Sequence, residues 1–299
     1  MITHAELKQT LSGLGVRAGM RLIVHSAFSS FHDEVEGGPE GFCRALMEIL
    51  TPEGTLLMPT FTFKVYSGKV KPFDHLNTPS DTGIVTEVFR KMPGVYRSAD
   101  PCHSTAAWGK DAWWYVKDHH KVPTVSAECP IGRLEQRGGY VMTVSCENAV
   151  TFMHIVEQTN HVPCLGDRTE EYPGLLADGR EVRLRTWGWR DGTCPALDTP
   201  AIFDAMRAAG EISETGLREA RLSLFPCSAY RKAYEARLSA HCPQCTIRPR
   251  VKPATVPSDW DREHECLLPS DAFTDELPGG PVLVEMGPAG GQSQTGALQ

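Results

Sequence analysis

The segment Thr151-Phe152-Met153-His154-Ile155-Val156-Glu157 sets a histidine and a glutamate three residues apart, a spacing that puts both on one face of a helix. A carboxylate beside an imidazole fixes the ring's orientation and favours its protonated form, which is what a general base for an amine or an alcohol needs. His-x-x-Glu is common by chance, so its weight comes from three companions. Val24-His25-Ser26-Ala27-Phe28-Ser29-Ser30-Phe31, followed by Gly37-Gly38, carries small hydroxyl residues where a strand ends. It reads either as a ligand-binding edge or as a serine-rich turn with capping hydroxyls. Arg97-Ser98-Ala99-Asp100-Pro101-Cys102-His103-Ser104 offers a guanidinium whose planar fork suits phosphate or carboxylate, and a histidine that is a base, a donor or a satisfied loop residue. Thr78-Pro79-Ser80-Asp81-Thr82-Gly83, with Glu87 and Arg90 beyond it, reads as a helix cap followed by an ion pair along the helix.

These segments must be held by regular elements. Residues 4–15 have a helical apolar stripe of Leu7, Leu11 and Leu14, and Leu22-Ile23-Val24 is a short buried strand running into His25-Ser26. A second helix opens at Gly37-Gly38-Pro39, and residues 54–59 form a second buried strand. Continuous apolar strands separated by helices predict an α/β sheet covered on both faces, and such sheets bind ligands at the carboxyl ends of their strands. Residues 61–81 break the pattern with aromatics, lysines and prolines, as a functional loop or lid would. Strands are expected at 105–108 and 140–144, and helices at 112–116 and 151–158. Residues 182–187 are expected as one arm of a hairpin turning at Asp178-Gly179, and 199–209, 214–223 and 228–239 as helices. The expected domain is 1–247, with the Pro/Gly-rich 248–299 as a mostly disordered tail.

The 299 residues are 41% hydrophobic and 22% charged, enough for a core that needs no metal or disulfide to fold. A net charge of −7 speaks against a nucleic-acid partner, whose binder would carry a basic patch. No apolar run reaches membrane-spanning length and the first residues lack a signal-peptide core, so a cytoplasmic protein is expected. The ten cysteines then read as thiols or metal ligands. Cys242-Pro243-Gln244-Cys245 has the spacing of two ligands of a tetrahedral structural zinc, with Cys194 as a third and Cys164, Cys227 or His241 to complete it. The eleven histidines show neither His-x-His nor His-Glu-x-x-His, which disfavours a metal-dependent hydrolase.

In this order, the four segments resemble the aminoglycoside 3-N-acetyltransferase family of the Antibiotic_NAT type. The likeness rests on the His25-Ser26 segment before Gly37-Gly38, Pro52-Glu53-Gly54-Thr55-Leu56-Leu57-Met58-Pro59-Thr60, Phe73-Asp74 with Thr78-Pro79-Ser80, Arg97-Ser98 to Gly109, and Thr151-x-x-His154-x-x-Glu157. It runs over roughly residues 5 to 245. The resemblance implies an α/β/α sandwich, unlike the GNAT acetyltransferases, that moves an acetyl group from acetyl-CoA to the 3-amino group of a 2-deoxystreptamine aminoglycoside and so confers antibiotic resistance. It puts the catalytic histidine at His154, with Glu157 as its orienting carboxylate. His25, Ser26, Ser29, Ser30, Phe31, Arg97, Ser98, His103 and Ser104 would border the CoA. A cationic acceptor calls for carboxylates, for which Asp74, Asp191, Glu170 and Glu171 are the candidates. The chain would act as a monomer or a homodimer. Asp100 stands where the family often has histidine, and Ala27 where it often has serine. These departures keep a second reading in view, an acyltransferase of the same fold acting on another amino sugar or small amine in a biosynthetic pathway.

Overall fold

A computed structural model describes residues 1–245 apart from 33, 163–165, 177–178 and 192–193, and for 166–169 and 187–191 the backbone alone. In chain order the elements are α1 (His4–Leu14), β1 (Arg21–Ser26), α2 (Gly38–Leu50), β2 (Thr55–Pro59), α3 (Phe63–Tyr66), β3 (Phe73–Asp74) and α4 (Ile84–Phe89). Then follow β4 (Tyr96–Arg97), β5 (Thr105–Gly109), α5 (Ala112–Val116), α6 (Pro130–Gln136), β6 (Tyr140–Val144) and α7 (Phe152–Thr159). The last are β7 (Gly166–Leu175), β8 (Glu181–Asp191), α8 (Thr199–Ala208), β9 (Ser213–Leu217), β10 (Ala220–Pro226) and α9 (Cys227–His241). The tail expected beyond 247 lies outside the described residues.

Local chemistry explains the elements that matter most for the site. Thr3 caps α1 by accepting the Glu6 amide at 3.2 Å, and the helix buries Leu7, Leu11 and Leu14. Gly37 and Gly38, at φ 72° and 59°, make the left-handed turn that starts α2 after the serine-rich segment. In β1, β2 and β6 the side chains alternate between two covered faces, which is why these strands read as unbroken apolar runs. Leu22, Val24, Leu56, Met58, Met142 and Val144 pack with α1, α2 and α4, while Ile23, Leu57 and Val141 pack with α5 to α9. Each such side chain contributes about 1.5–3 kcal/mol on burial. The result is the expected α/β/α sandwich.

The main sheet runs β4-β5-β2-β1-β6-β10-β9 among the described residues, and β1 is parallel to both neighbours, β2 and β6. A small sheet β3-β7-β8 stands apart, and β3 ties the irregular 61–81 stretch to β7 through Phe73↔Gly174 and Asp74↔Leu175. The hairpin expected around 178–179 is β7–β8. The helix expected over 214–223 is a second hairpin, β9–β10. Its turn is Arg218-Glu219, with Arg218 at φ 56°, and it lacks the Gly or Asn that marks a two-residue turn in sequence. Leu217, Leu222 and Leu224 still reach the core, now from strands. Among the described residues no helix is long and apolar enough to cross a membrane.

Candidate active site

Because β1 lies between two parallel neighbours, the carboxyl ends of β1, β2 and β6 open at one edge of the sheet, where loop amides and side chains converge. Strand β5 is antiparallel to β2, so its leading residues arrive at the same edge. A cavity of about 590 Å³ occupies this place. Its walls include His25 and Ser26 from β1, Phe61 after β2, Cys102 and His103 before β5, and Cys146, Thr151 and His154 after β6. Phe63 and Tyr66 of α3, together with Asp81, bring the 61–81 stretch to the same cavity.

The turn from β6 into α7 is tight. Ser145 sits at φ 52°, and its Oγ accepts the Arg221 amide at 3.0 Å. Helix α7 then buries Phe152, Ile155 and Val156 and directs His154 to the cavity. His154 Nδ1 lies 2.7 Å from Glu157 Oε2; since the carboxylate only accepts, Nδ1 carries a proton, and in the neutral ring the lone pair is on Nε2. Glu157 is 0% exposed, and its other oxygen accepts the Tyr234 hydroxyl at 2.8 Å. Tyr234, on α9, is a buried phenol whose pKa is driven up by burial and by the Glu157 charge, so it stays a donor. Sequence analysis places it only within the helix expected over 228–239, because nothing local links it to Glu157, 77 residues away.

The remaining polar groups of the cavity are mostly neutral at pH 7. Burial lowers His25 to about 4, and its Nε2 has no hydrogen-bond partner among the described residues; nor does Ser26 Oγ. His103 is likewise lowered to about 4, by burial first and against the pull of Asp100. Asp100 Oδ1 accepts the amides of Cys102 and His103 at 2.9 and 2.6 Å, and Oδ2 accepts the Thr124 hydroxyl at 2.9 Å. The Asp100 departure therefore builds the loop that presents His103, whose ring meets Phe61 edge-on at 4.7 Å. Burial raises the thiols of Cys102 and Cys146, so neither is a ready thiolate nucleophile.

The family model for aminoglycoside 3-N-acetyltransferases matches residues 23–239. The chain belongs to this family. It is 36% identical over 184 residues to aminoglycoside N(3)-acetyltransferase IV of Salmonella sp., covering 60% of this chain and 67% of that one. Its structure superposes with TM-score 0.68 on a histidine-to-alanine mutant of aminoglycoside acetyltransferase AAC(3)-IVa in complex with a gentamicin, at 28% identity over 80% of this chain and 88% of that one. The binary complex of AAC-IIIb with CoASH shares the fold, with TM-score 0.68 at 22% identity over 80% of this chain and 96% of that one.

Within this acetyltransferase, several residues expected to touch ligands are structural instead. Arg97 is buried, and its guanidinium donates to Ser104 Oγ at 3.1 Å and to the carbonyls of Thr78, Thr60 and His75 at 2.7, 2.9 and 3.3 Å. Four of its five N–H donors are thus spent within the fold, and the buried fork has no bidentate face left for a CoA phosphate. Ser104 Oγ bonds the Thr60 carbonyl at 2.6 Å, and Ser98 Oγ shares a proton with His119 Nδ1 at 2.8 Å. Phe31 is 0% exposed and packs on Phe28 and Phe42, with centroids 5.5 and 5.9 Å away. Ser29 is exposed and Ser30 half-buried, and neither lines the cavity.

The acceptor carboxylates also move. Asp74 is taken up by its own turn, accepting the Leu76 and Asn77 amides at 2.9 and 2.8 Å. Glu170 accepts from Tyr172, and Glu171 is bridged by Arg183 and Arg185. The side chain of Asp191 lies outside the described residues. The zinc expectation is not met. Among the described residues no three His, Cys, Asp or Glu are grouped to hold a metal, and Cys164 lies outside them. Cys194 is fully buried against Tyr234, and Cys242 and Cys245 pack half-buried on the edge of the same core; burial and the neighbouring sulfurs raise the Cys242 thiol. The Glu87–Arg90 pair is as expected, at 2.6 Å.

Proposed function

We propose that the enzyme transfers the acetyl group of acetyl-CoA to the 3-amino group of 2-deoxystreptamine aminoglycosides in the cytoplasm, conferring resistance, with residues 1–247 as the catalytic domain. The observation that carries this reading is His154 on the cavity wall, its Nδ1–H held by a buried carboxylate that Tyr234 holds from the far side. The gentamicin complex of the relative and its histidine-to-alanine change support it.

An acceptor amine arrives as an ammonium at neutral pH and is nucleophilic only without that proton. His154 Nε2 takes it. The amine nitrogen attacks the thioester carbonyl carbon, the C–S bond breaks, the imidazolium gives its proton to the leaving sulfur, and the freed Nε2 then takes the second proton from the new amide nitrogen and later yields it to solvent. Glu157 stabilises the imidazolium between these steps, and general-base help of this kind is worth about 10²–10⁴-fold. Transfer is direct within a ternary complex, because the cavity's thiols are held protonated. Ser26 Oγ and His25 Nε2, buried in the cavity wall without hydrogen-bond partners among the described residues, replace Ser29 and Ser30 as the polar groups nearest to hand for the thioester. His103 remains a cavity residue for the donor.

The test is CoA thiol release with one aminoglycoside at a time: gentamicin, tobramycin, kanamycin, neomycin and apramycin. Turnover in wild type that His154→Ala abolishes is the expected result. Silence across the panel, with CoA still bound, would overturn the acceptor assignment in favour of another amino sugar.

A further inference from the structure

The acceptor on the reading above is a polycation, so beyond the reacting amine its other ammonium groups need partners. Asp81 is the one carboxylate among the described residues lining the cavity. It comes from the stretch that sequence analysis reads as a helix cap, but α4 starts only at Ile84, after the Thr78–Gly83 turn. The turn is firmly fixed. Ser80 Oγ meets the hydroxyls of Thr82 and Thr86, each at 2.8 Å, and the Thr82 hydroxyl donates to the Pro59 carbonyl at the end of β2. The Asp81 amide donates to the Phe61 carbonyl at 2.8 Å. The carboxylate is thereby presented at a set place, its side chain only 10% exposed.

Its present cation comes from the protein itself. Asp81 Oδ2 accepts the backbone amide of Lys64 at 2.9 Å, and Oδ1 pairs with Lys64 Nζ at 2.9 Å. The amide bond locks the carboxylate to α3, whereas the ammonium sits on a flexible side chain that is 63% exposed. An ion pair with one partner so exposed is worth little. An ammonium delivered from inside the cavity is better shielded from water and replaces the lysine like for like. The neighbouring imidazoles of His25 and His103 are neutral at pH 7 and do not compete for the carboxylate.

We propose that Asp81 receives an ammonium of the acceptor other than the one acetylated, and that Lys64 is an internal placeholder displaced when the acceptor binds. The inference rests on the aminoglycoside reading and adds which carboxylate selects the cationic acceptor and what occupies it beforehand.

Steady-state kinetics with gentamicin and acetyl-CoA test it. Asp81→Asn should raise the acceptor KM by about 10-fold or more, as for loss of a hydrogen bond to a charged group, with kcat changed far less and the KM for acetyl-CoA unmoved. Lys64→Met should act in the opposite direction, lowering the acceptor KM about two- to fivefold, and should have no effect when Asp81→Asn is already present. A purely structural ion pair would give changes of the same sign in both single variants. An acceptor KM unchanged in Asp81→Asn, or raised in Lys64→Met, overturns the proposal while leaving acetyl transfer intact. Were Asp81→Asn to fail to fold, the direction of the Lys64→Met change decides alone. Wild type inactive on every aminoglycoside overturns this proposal and the functional reading together.

Discussion

On α7, His154 gives Nδ1–H to Glu157 and leaves Nε2 facing the cavity, whereas at the end of β4 Arg97 gives its donors to Ser104, Thr78, Thr60 and His75. Both residues stand in segments dense with polar groups, and both lie near the same strand ends. What separates them is what each side chain has left once the fold has used it. Arg97 is a brace across the 61–81 stretch: it ties Thr60, His75 and Thr78 to the β4–β5 turn. His154 is braced by others and keeps a lone pair for a ligand. In this molecule the group proposed as the base is the one held on one side and open on the other.

Several variants would break or sharpen that contrast. The largest effect should come from His154→Ala, with kcat down about 10²–10⁴-fold and an unchanged melting temperature, because the side chain contributes chemistry rather than packing. Arg97→Met should do the reverse. It strands the buried carbonyls of Thr78 and His75, leaves Thr60 with the Ser104 hydroxyl alone, and should lose about 3–5 kcal/mol of stability, read by urea denaturation, while the protein that folds keeps its acceptor KM. Equal effects of the two substitutions on kcat and on stability would erase the distinction.

Acid should act through the neutral histidines. His25 has a folded-state pKa of about 4 against about 6.5 unfolded, so below pH 6.5 the unfolded chain binds the proton first. Stability is fully present above pH 6.5 and falls as pH drops towards 4, by about 3 kcal/mol for this group. His25→Gln should flatten that part of a plot of denaturation midpoint against pH. The smallest effect belongs to Tyr234→Phe, which removes one hydrogen bond from Glu157. It should lower kcat about three- to tenfold and displace the acid limb of the kcat–pH profile, a change that loss of packing alone would not produce.

The layered sheet was legible because its strands are apolar on both faces, and the ends of β1, β2 and β6 could be placed from Leu22-Ile23-Val24, Thr55 to Pro59 and Tyr140 to Val144. The His154–Glu157 pair was legible because i,i+3 spacing is local. Tyr234 was not, since 77 residues separate it from Glu157 and only the packing of α9 on α7 joins them. Asp81 was hidden in a run of turn formers that gives no sign of which residue faces the cavity. The β9–β10 hairpin was hidden by a turn made of Arg218 and Glu219. The zinc expectation finds no support among the described residues, and the sequence shows why it was tempting: Cys-x-x-Cys spacing says how far apart two sulfurs are along the chain but not that Cys194 also meets Tyr234.

The burial of the pair behind His154 bears on traffic during turnover. Glu157 and Tyr234 have no exposed surface, and the imidazole's own exposure is 20%, on the cavity side. Behind the ring, neither of these two side chains meets solvent. On the proposed mechanism, the proton taken from the acceptor leaves by the opening through which the acceptor came in, so the cycle resets only after a product clears the mouth. A slow-leaving product would then hold the base in its spent state, and release would set the pace even where acetyl transfer itself is fast.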